Sequence, residues 1–375
     1  MHHICRWAIR FSLASGLVLA QPEPPLPASD YHVAPSGSDA NPGTADAPFR
    51  TVQKACDSAR AGDRILLAEG VYAEENVFLR YSGAEDRPIV LRNRPGERPV
   101  IEGRIELHSH AGWQRPIGWI TIEGLEIRNG WDGIKFYNAQ NVLLRHNNIH
   151  HARNQGILGN GYQVRIEGNV IAHNGFKPDN EQSTLEHGIY CTGTHFTIIN
   201  NVIHSNTGYG IQVAGYAYEP AIHAAPEFAG ARHWLISHNT IAFHQNRAAI
   251  VVWQSDATDC VIQNNILYHN AVKLGAGATN GVDFVSGGGH VVRNNILFAP
   301  GKLALNDASG ASYRAYDNVH NDPRFVSPAE FDFRLQHGSP AIDAGTLDEP
   351  IETDIEGTRR PQGQRPDIGA YECRP

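Results

Sequence analysis

The stretch 196–206, FTIINNVIHSN, decides the fold, because its pattern returns along the chain. It recurs as NVLLRHNNIHH (141–151), QVRIEGNVIAHN (163–174), WLISHNTIAFHQN (234–246), CVIQNNILYHN (260–270) and VVRNNILFA (291–299). Each copy is a short β-branched run, an asparagine, and a second aliphatic pair. Taking Asn148, Asn169, Asn201, Asn239, Asn265 and Asn295 as equivalent gives spacings of 21, 32, 38, 26 and 30 residues. The shortest spacing reads as one coil of a solenoid, and the excesses read as loops. An asparagine at the same corner of every coil can bond to the coils on either side, satisfying turn backbone that would otherwise be buried and unpaired.

Between these runs lies a second phrase: DGIKFYN (132–138), QGILGNG (155–161), HGIYCTG (187–193), YGIQVAG (209–215), AAIVVWQ (248–254) and NGVDFVS (280–286). Two or three short strands per repeat predict an all-β chain, a single-stranded parallel β-helix. Such a solenoid buries its aliphatics only against adjacent coils, so its ends need covers. Residues 51–61, TVQKACDSARA, place Val52, Ala55, Cys56 and Ala59 on one helical face and predict an N-terminal amphipathic capping helix.

The first thirty residues read differently. Arg6 and Arg10 precede an apolar run from Phe11 to Ala20, and Val18-Leu19-Ala20 suits signal-peptidase cleavage, so residues 1–20 read as a secretory signal and 21–30 as a linker. The run is about half of what a bilayer span needs, and no other segment could cross a membrane. Removing it leaves 29 Lys and Arg against 39 Asp and Glu. That acidic balance argues against a general nucleic-acid binder, but an anionic polymer needs only a locally basic groove. Cys56, Cys191, Cys260 and Cys373 then remain, without CxxC or metal spacing, and Cys191 and Cys260 read as buried thiols.

In each second phrase the isoleucine faces the core, so its neighbours face out. Stacking the phrases gives an outer column Lys135, Leu158, Tyr190, Gln212, Val251 and Asp283. A second column is Tyr137, Asn160, Thr192, Ala214, Trp253 and Val285. A third series at the strand entries is Asp132, Gln155, His187, Tyr209, Ala248 and Asn280. Long insertions at 175–186 and 215–231 flank His187 and Tyr190 and predict the walls of a groove.

The segment YHVAPSGSDANPGTADAPFRTVQKACDSARAGDRILLAEGVY (31–72) is similar to the entry segment of secreted right-handed parallel β-helix proteins, including many polysaccharide lyases. NDPRFV, DFRLQHGSPAIDAG and DIGAYE resemble the terminal region of bacterial β-helix proteins of the choice-of-anchor Q type. The resemblance implies a right-handed β-helix over 31–320, with C-terminal coils and a capping region over 321–375. It also implies a secreted or cell-surface, monomeric lyase acting on an acidic, uronic-acid polysaccharide. This architecture carries other chemistries too, so a C5-epimerase and a non-catalytic glycan-binding solenoid stand as alternatives.

A lyase removes the weakly acidic C5 proton of a uronate, which requires a base, a proton donor for the leaving oxygen and a neutraliser for the carboxylate. Tyr190 faces outward as a donor, His187 is the base or carboxylate partner, and Lys135 assists from two rungs away. On a flat strand His187 and Tyr190 would face opposite sides, so the pair requires Gly188 to relax the pleat. Gln212, Asn160 and Arg232 are expected to hold the substrate with Lys177, while Trp253 and Tyr137 stack on sugar rings. Many pectate-type lyases hold Ca²⁺ between several carboxylates. Here Asp132, Glu186 and Asp283 are scattered, so neutralisation without a metal is favoured, with calcium as the alternative. The histidines at the asparagine corners lack zinc spacing and read as structural. Hydrolysis ranks below elimination because facing carboxylates are missing.

Overall fold

Each coil is built from the two repeating phrases. The computed structural model describes residues 28–176, 184–307, 310–348 and 351–374. The signal and most of the linker, residues 1–27, lie outside them, as does Lys177. Strands of the second phrase, Ile189–Thr194, Ile211–Ala214, Ile250–Trp253 and Thr279–Phe284, stack in parallel into one sheet. Thr197–Ile199, Leu235–Ser237 and Val261–Gln263 form a second row. Val202–His204, Thr240–Ala242, Ile266–Tyr268 and Ile296–Phe298 form a third. The core is an in-register column of Ile134, Ile157, Ile189, Ile211, Ile250 and Val282, all fully buried. Cys191 and Cys260 are buried free thiols within it.

The asparagine corner is a continuous amide ladder. Asn147, Asn169, Asn201, Asn239 and Asn265 each donate Nδ2 to the Oδ1 of the next, at 2.9–3.1 Å, and the run continues through Asn295 to Asn318. Each backbone N–H in the run donates to the same oxygen. The first rung corrects the expected one: Asn147, not Asn148, holds the position, and Asn148 is exposed on its strand. The residue before each ladder asparagine turns left-handed, with φ of 53° at His146, 58° at Asn200 and 53° at His238, which explains the polar residues there.

Helix Val52–Ser58 is capped by Thr51, whose hydroxyl accepts the Lys54 N–H, and it buries Val52, Ala55 and Cys56 over the first coil. The C-terminal region differs from expectation. After Tyr316 the chain adds no complete coil; it turns back as an antiparallel hairpin, Phe325–Ser327 with Asp332–Leu335. It then lies along the third strand row. Phe333, Leu335, Ala341, Ile368 and Ala370 cluster with Val202, Ala242, Ile266, Tyr268 and Ile296. The reason is local: on its outer face that row carries Val202, Ile266 and Ile296, apolar side chains that must be covered. Among the described residues no helix is long and apolar enough to cross a membrane.

Candidate functional site

The outer column is set by strand register. Glu106, Lys135, Leu158, Tyr190, Gln212, Val251, Asp283 and Asn306 are successive Cα partners. Above part of this floor runs the loop 215–230. It is anchored by Asn138, whose Nδ2 donates to the carbonyls of Ile222 (3.0 Å) and Trp113 (3.1 Å) and whose Oδ1 accepts the Ala224 N–H. Gln114 Nε2 also donates to the Ala221 carbonyl. Floor and loop enclose a hollow of about 680 Å³ lined by Lys135, Tyr137, Leu158, Asn160, Tyr190, Thr192, Tyr216, Tyr218, Glu219 and His223.

Tyr190 and Lys135 face this hollow from either side of Leu158, with Cα atoms about 10 Å apart over two rungs. The Tyr190 hydroxyl lies 2.5 Å from that of Tyr216. Burial, reinforced by that contact, pushes the Tyr190 phenol above its ordinary value, so it is held protonated. The Lys135 ammonium sits 5.2 Å from the centre of the Tyr137 ring, a cation–π placement at the mouth of the hollow.

His187 is placed otherwise than expected of a base. It is 2 % exposed, and its Nδ1 accepts the Tyr209 N–H at 2.9 Å. The third series is thus an internal ladder: Asp132 Oδ1 accepts the Gln155 N–H (3.3 Å), and Gln155 Oε1 accepts the His187 N–H. Burial drives the His187 pKa down to about 3, against a smaller opposing effect from Gln212. With Nδ1 occupied as an acceptor, the neutral ring carries its proton on Nε2 and has no free lone pair to take another. It packs edge-on against Tyr190, centroids 5.6 Å apart, and so positions that ring.

The other expected contacts divide. Tyr137 and Asn160 line the hollow, although Asn160 also donates to Asn138 Oδ1 at 2.9 Å. Gln212 is on the floor but buried one rung beyond the hollow. Arg232 turns under the loop, its guanidinium 3.4 Å from the Pro226 carbonyl. Trp253 is exposed two rungs beyond Thr192 and does not line the hollow.

A neighbouring hollow, also about 680 Å³, meets the first at Tyr137 and is lined by Arg80, Glu106, His108, His110 and Trp113. Glu106 is engaged by Arg104 (2.8 Å) and His108 (3.3 Å). Its strand, GRIELHS, shows the same core-then-outward alternation as GIKFY, which was the available signal. Tyr216 and Glu219 had no signal beyond their place in a long loop.

Among the described residues the carboxylates around the groove do not converge as a calcium cage of six to eight oxygens requires. Asp132 is fully buried and bonded by Asn154, Gln155 and Arg104. Asp283 is bonded by Tyr209 and Asn306. Glu219 is the sole carboxylate among the residues lining the first hollow. Among the described residues no group of three or more His, Cys, Asp or Glu is arranged to hold a metal.

Comparison with known proteins gives consistent matches. Residues 31–312 match the family described as Pel9A-like, right-handed β-helix region. The uncharacterised protein YwoF of Bacillus subtilis is 28% identical over 209 residues, covering 50% of this chain and 44% of that protein. Pectate lyase PEL9 of Emericella nidulans is 42% identical over 81 residues, 21% of this chain and 20% of that enzyme. The chain thus spans less than half the length of these curated relatives. Among solved structures, that of pectate lyase Pel9A superposes with a TM-score of 0.59 at 17% identity, over 92% of this chain and 96% of that one. XylC in complex with xylose gives 0.58 at 16% identity, over 79% and 70%. At such identities the structural likeness bears on the fold.

Proposed function

The chain belongs to the Pel9A-like right-handed β-helix family, and from its groove we propose that it is a lyase cleaving a uronic-acid polysaccharide by β-elimination. The observation that carries this is the pairing of a cation and a protonated phenol, Lys135 and Tyr190, on one floor column inside a loop-walled hollow. The Lys135 ammonium meets the uronate carboxylate and makes the C5 proton more acidic. Tyr190, backed by Tyr216, donates its proton to the leaving O4. Glu219, the carboxylate carried into the hollow by the loop, takes the C5 proton. His187 holds the Tyr190 ring in place rather than exchanging protons.

Two features support elimination over hydrolysis. A glycosidase needs two carboxyl groups facing one bond, and among the described residues Glu219 has no second carboxylate facing it in its hollow, while Glu106 next door is engaged by Arg104 and His108. The names of two matched proteins, both pectate lyases, make polygalacturonate the first polymer to try. A polymeric substrate also suits secretion through residues 1–20, which N-terminal sequencing of the exported protein would check.

The test is to incubate the protein with polygalacturonate, alginate, hyaluronan and chondroitin, with and without EDTA, and follow the ultraviolet absorbance of unsaturated uronate. A rise that Tyr190→Phe and Lys135→Met abolish supports the proposal. No rise on any polymer overturns the activity. A rise that survives both substitutions overturns the site.

A further inference from the structure

We infer that the groove is one-ended, so that the protein engages a polymer at a chain end, with the rest of the chain extending only toward the N-terminal coils. The activity arm of its test rests on the lyase proposal, while its binding arm does not.

Beyond Tyr190 the floor is filled. Val251, two rungs on in the outward column, is fully buried. Its cover is Tyr209, which clusters with Ala248, Val251 and Val285. From the strand entry beside Gln212 the Tyr209 side chain reaches down the column, and its hydroxyl donates to Asp283 Oδ2 at 3.0 Å, 74 residues later in sequence. Asn306 holds the other Asp283 oxygen at 2.6 Å, and the Arg247 guanidinium lies 5.8 Å from the Tyr209 ring centre. A side chain fixed at both ends over the strand face leaves no floor for a sugar there. At the same boundary Tyr216 closes onto Tyr190 through the 2.5 Å hydroxyl contact.

Toward the N-terminus the floor stays open. From Tyr190 it runs through Leu158 and Lys135 to Glu106, three rungs or about 14 Å, and passes from the first hollow into the neighbouring one. Trp113, 46 % exposed, stands beside Tyr137 with ring centroids 6.2 Å apart, an aromatic edge suited to a sugar face. Arg80 lies over the Phe78 ring at 4.6 Å and has no carboxylate partner among the described residues. A uronate chain running this way meets Lys135 at the cleaved unit and Arg80 farther along. Elimination breaks the C4–O4 bond, moves the C5 proton to the base and a proton to O4, and consumes no water. The short piece on the blocked side departs as one product.

Binding is tested first, using Tyr190→Phe protein and size-fractionated oligogalacturonates titrated by calorimetry. A one-ended groove binds one protein per chain at every length. A bound number that grows with chain length overturns the inference. Tyr209→Ala is expected to restore that growth, and Arg80→Gln to weaken long oligomers several-fold while leaving the shortest bound oligomer unchanged. On active protein, viscosity of polygalacturonate should fall slowly relative to absorbance, with one short product from the outset. Rapid viscosity loss with random early product lengths also overturns it. If no absorbance rise occurs at all, the lyase proposal has failed, and the stoichiometry still decides the shape of the groove.

Discussion

The asparagine corner and the groove column are both read once per coil, yet they obey opposite rules. At the corner the side chain is the same from Asn147 to Asn318, because every coil presents the same unpaired turn backbone and an amide can donate and accept in register. In the column the same repeat places Glu106, Lys135, Leu158, Tyr190, Gln212, Val251 and Asp283 at equivalent positions. Packing alone does not ask for such variety on an outer face. Uniformity along a solenoid therefore marks what stabilises it, and departure from uniformity marks where it meets a ligand or a covering segment.

That contrast can be broken by substitution. Lys135→Met should lower the elimination rate on polygalacturonate by about 10²–10³-fold, the scale for losing one charge-stabilising contact, with the unfolding midpoint unchanged. Asn239→Ala should do the reverse. It leaves the Ile198 and Ser237 carbonyls and the neighbouring amides without their partner, costing about 3 kcal/mol or more in denaturant unfolding. His187→Phe keeps the ring against Tyr190 but removes the acceptor of the Tyr209 N–H. It should cost about 1–3 kcal/mol and retain much of the elimination rate; complete inactivation would return His187 to the proton-transfer chemistry.

Acid should loosen the structure in a defined window. Burial holds His187, His204 and His244 at pKa values of about 3, against an ordinary 6.5. The unfolded chain binds their protons first, so stability is full above pH 6.5 and is lost as pH falls from there toward 3. His204 stacks on Phe331 of the C-terminal hairpin at 4.4 Å. His204→Phe should accordingly flatten the dependence of the unfolding midpoint on pH. The smallest effects belong to Trp253→Ala and Arg232→Gln, which lie outside the hollow and should leave KM and kcat on polygalacturonate nearly unchanged.

The column from Lys135 to Asp283 was legible in the sequence residue by residue, because the Gly-Ile phrase and the two-residue strand period fix which side chains share a face. The asparagine ladder was legible apart from its two ends, Asn147 and Asn318, the latter lying outside the repeated phrase. In HNNIHH two adjacent asparagines compete, and a shift of one residue moves a side chain to the other face. The direction of His187 was not legible, since it depends on a ladder running from Asp132 through Gln155 to Tyr209. Nor was the covering of Val251, which depends on a Tyr209 hydroxyl finding Asp283 two rungs below the Gln212 strand. Arg80 and Trp113 were missed because the early coils lack the repeated phrase, and Glu106 because its strand carries the alternation without the Gly-Ile entry. The flank docking of the C-terminal region was hinted at only by the apolar outer faces of Val202, Ile266 and Ile296.

The most direct measurement is the initial rate of unsaturated uronate formation from polygalacturonate by wild-type and Tyr190→Phe proteins matched for unfolding midpoint. The account predicts a clear wild-type rate and a loss of about 10²–10⁴-fold on removing the one hydroxyl, the scale of general acid catalysis. Equal rates in the two proteins, or no wild-type rate on any uronic-acid polymer, would contradict it.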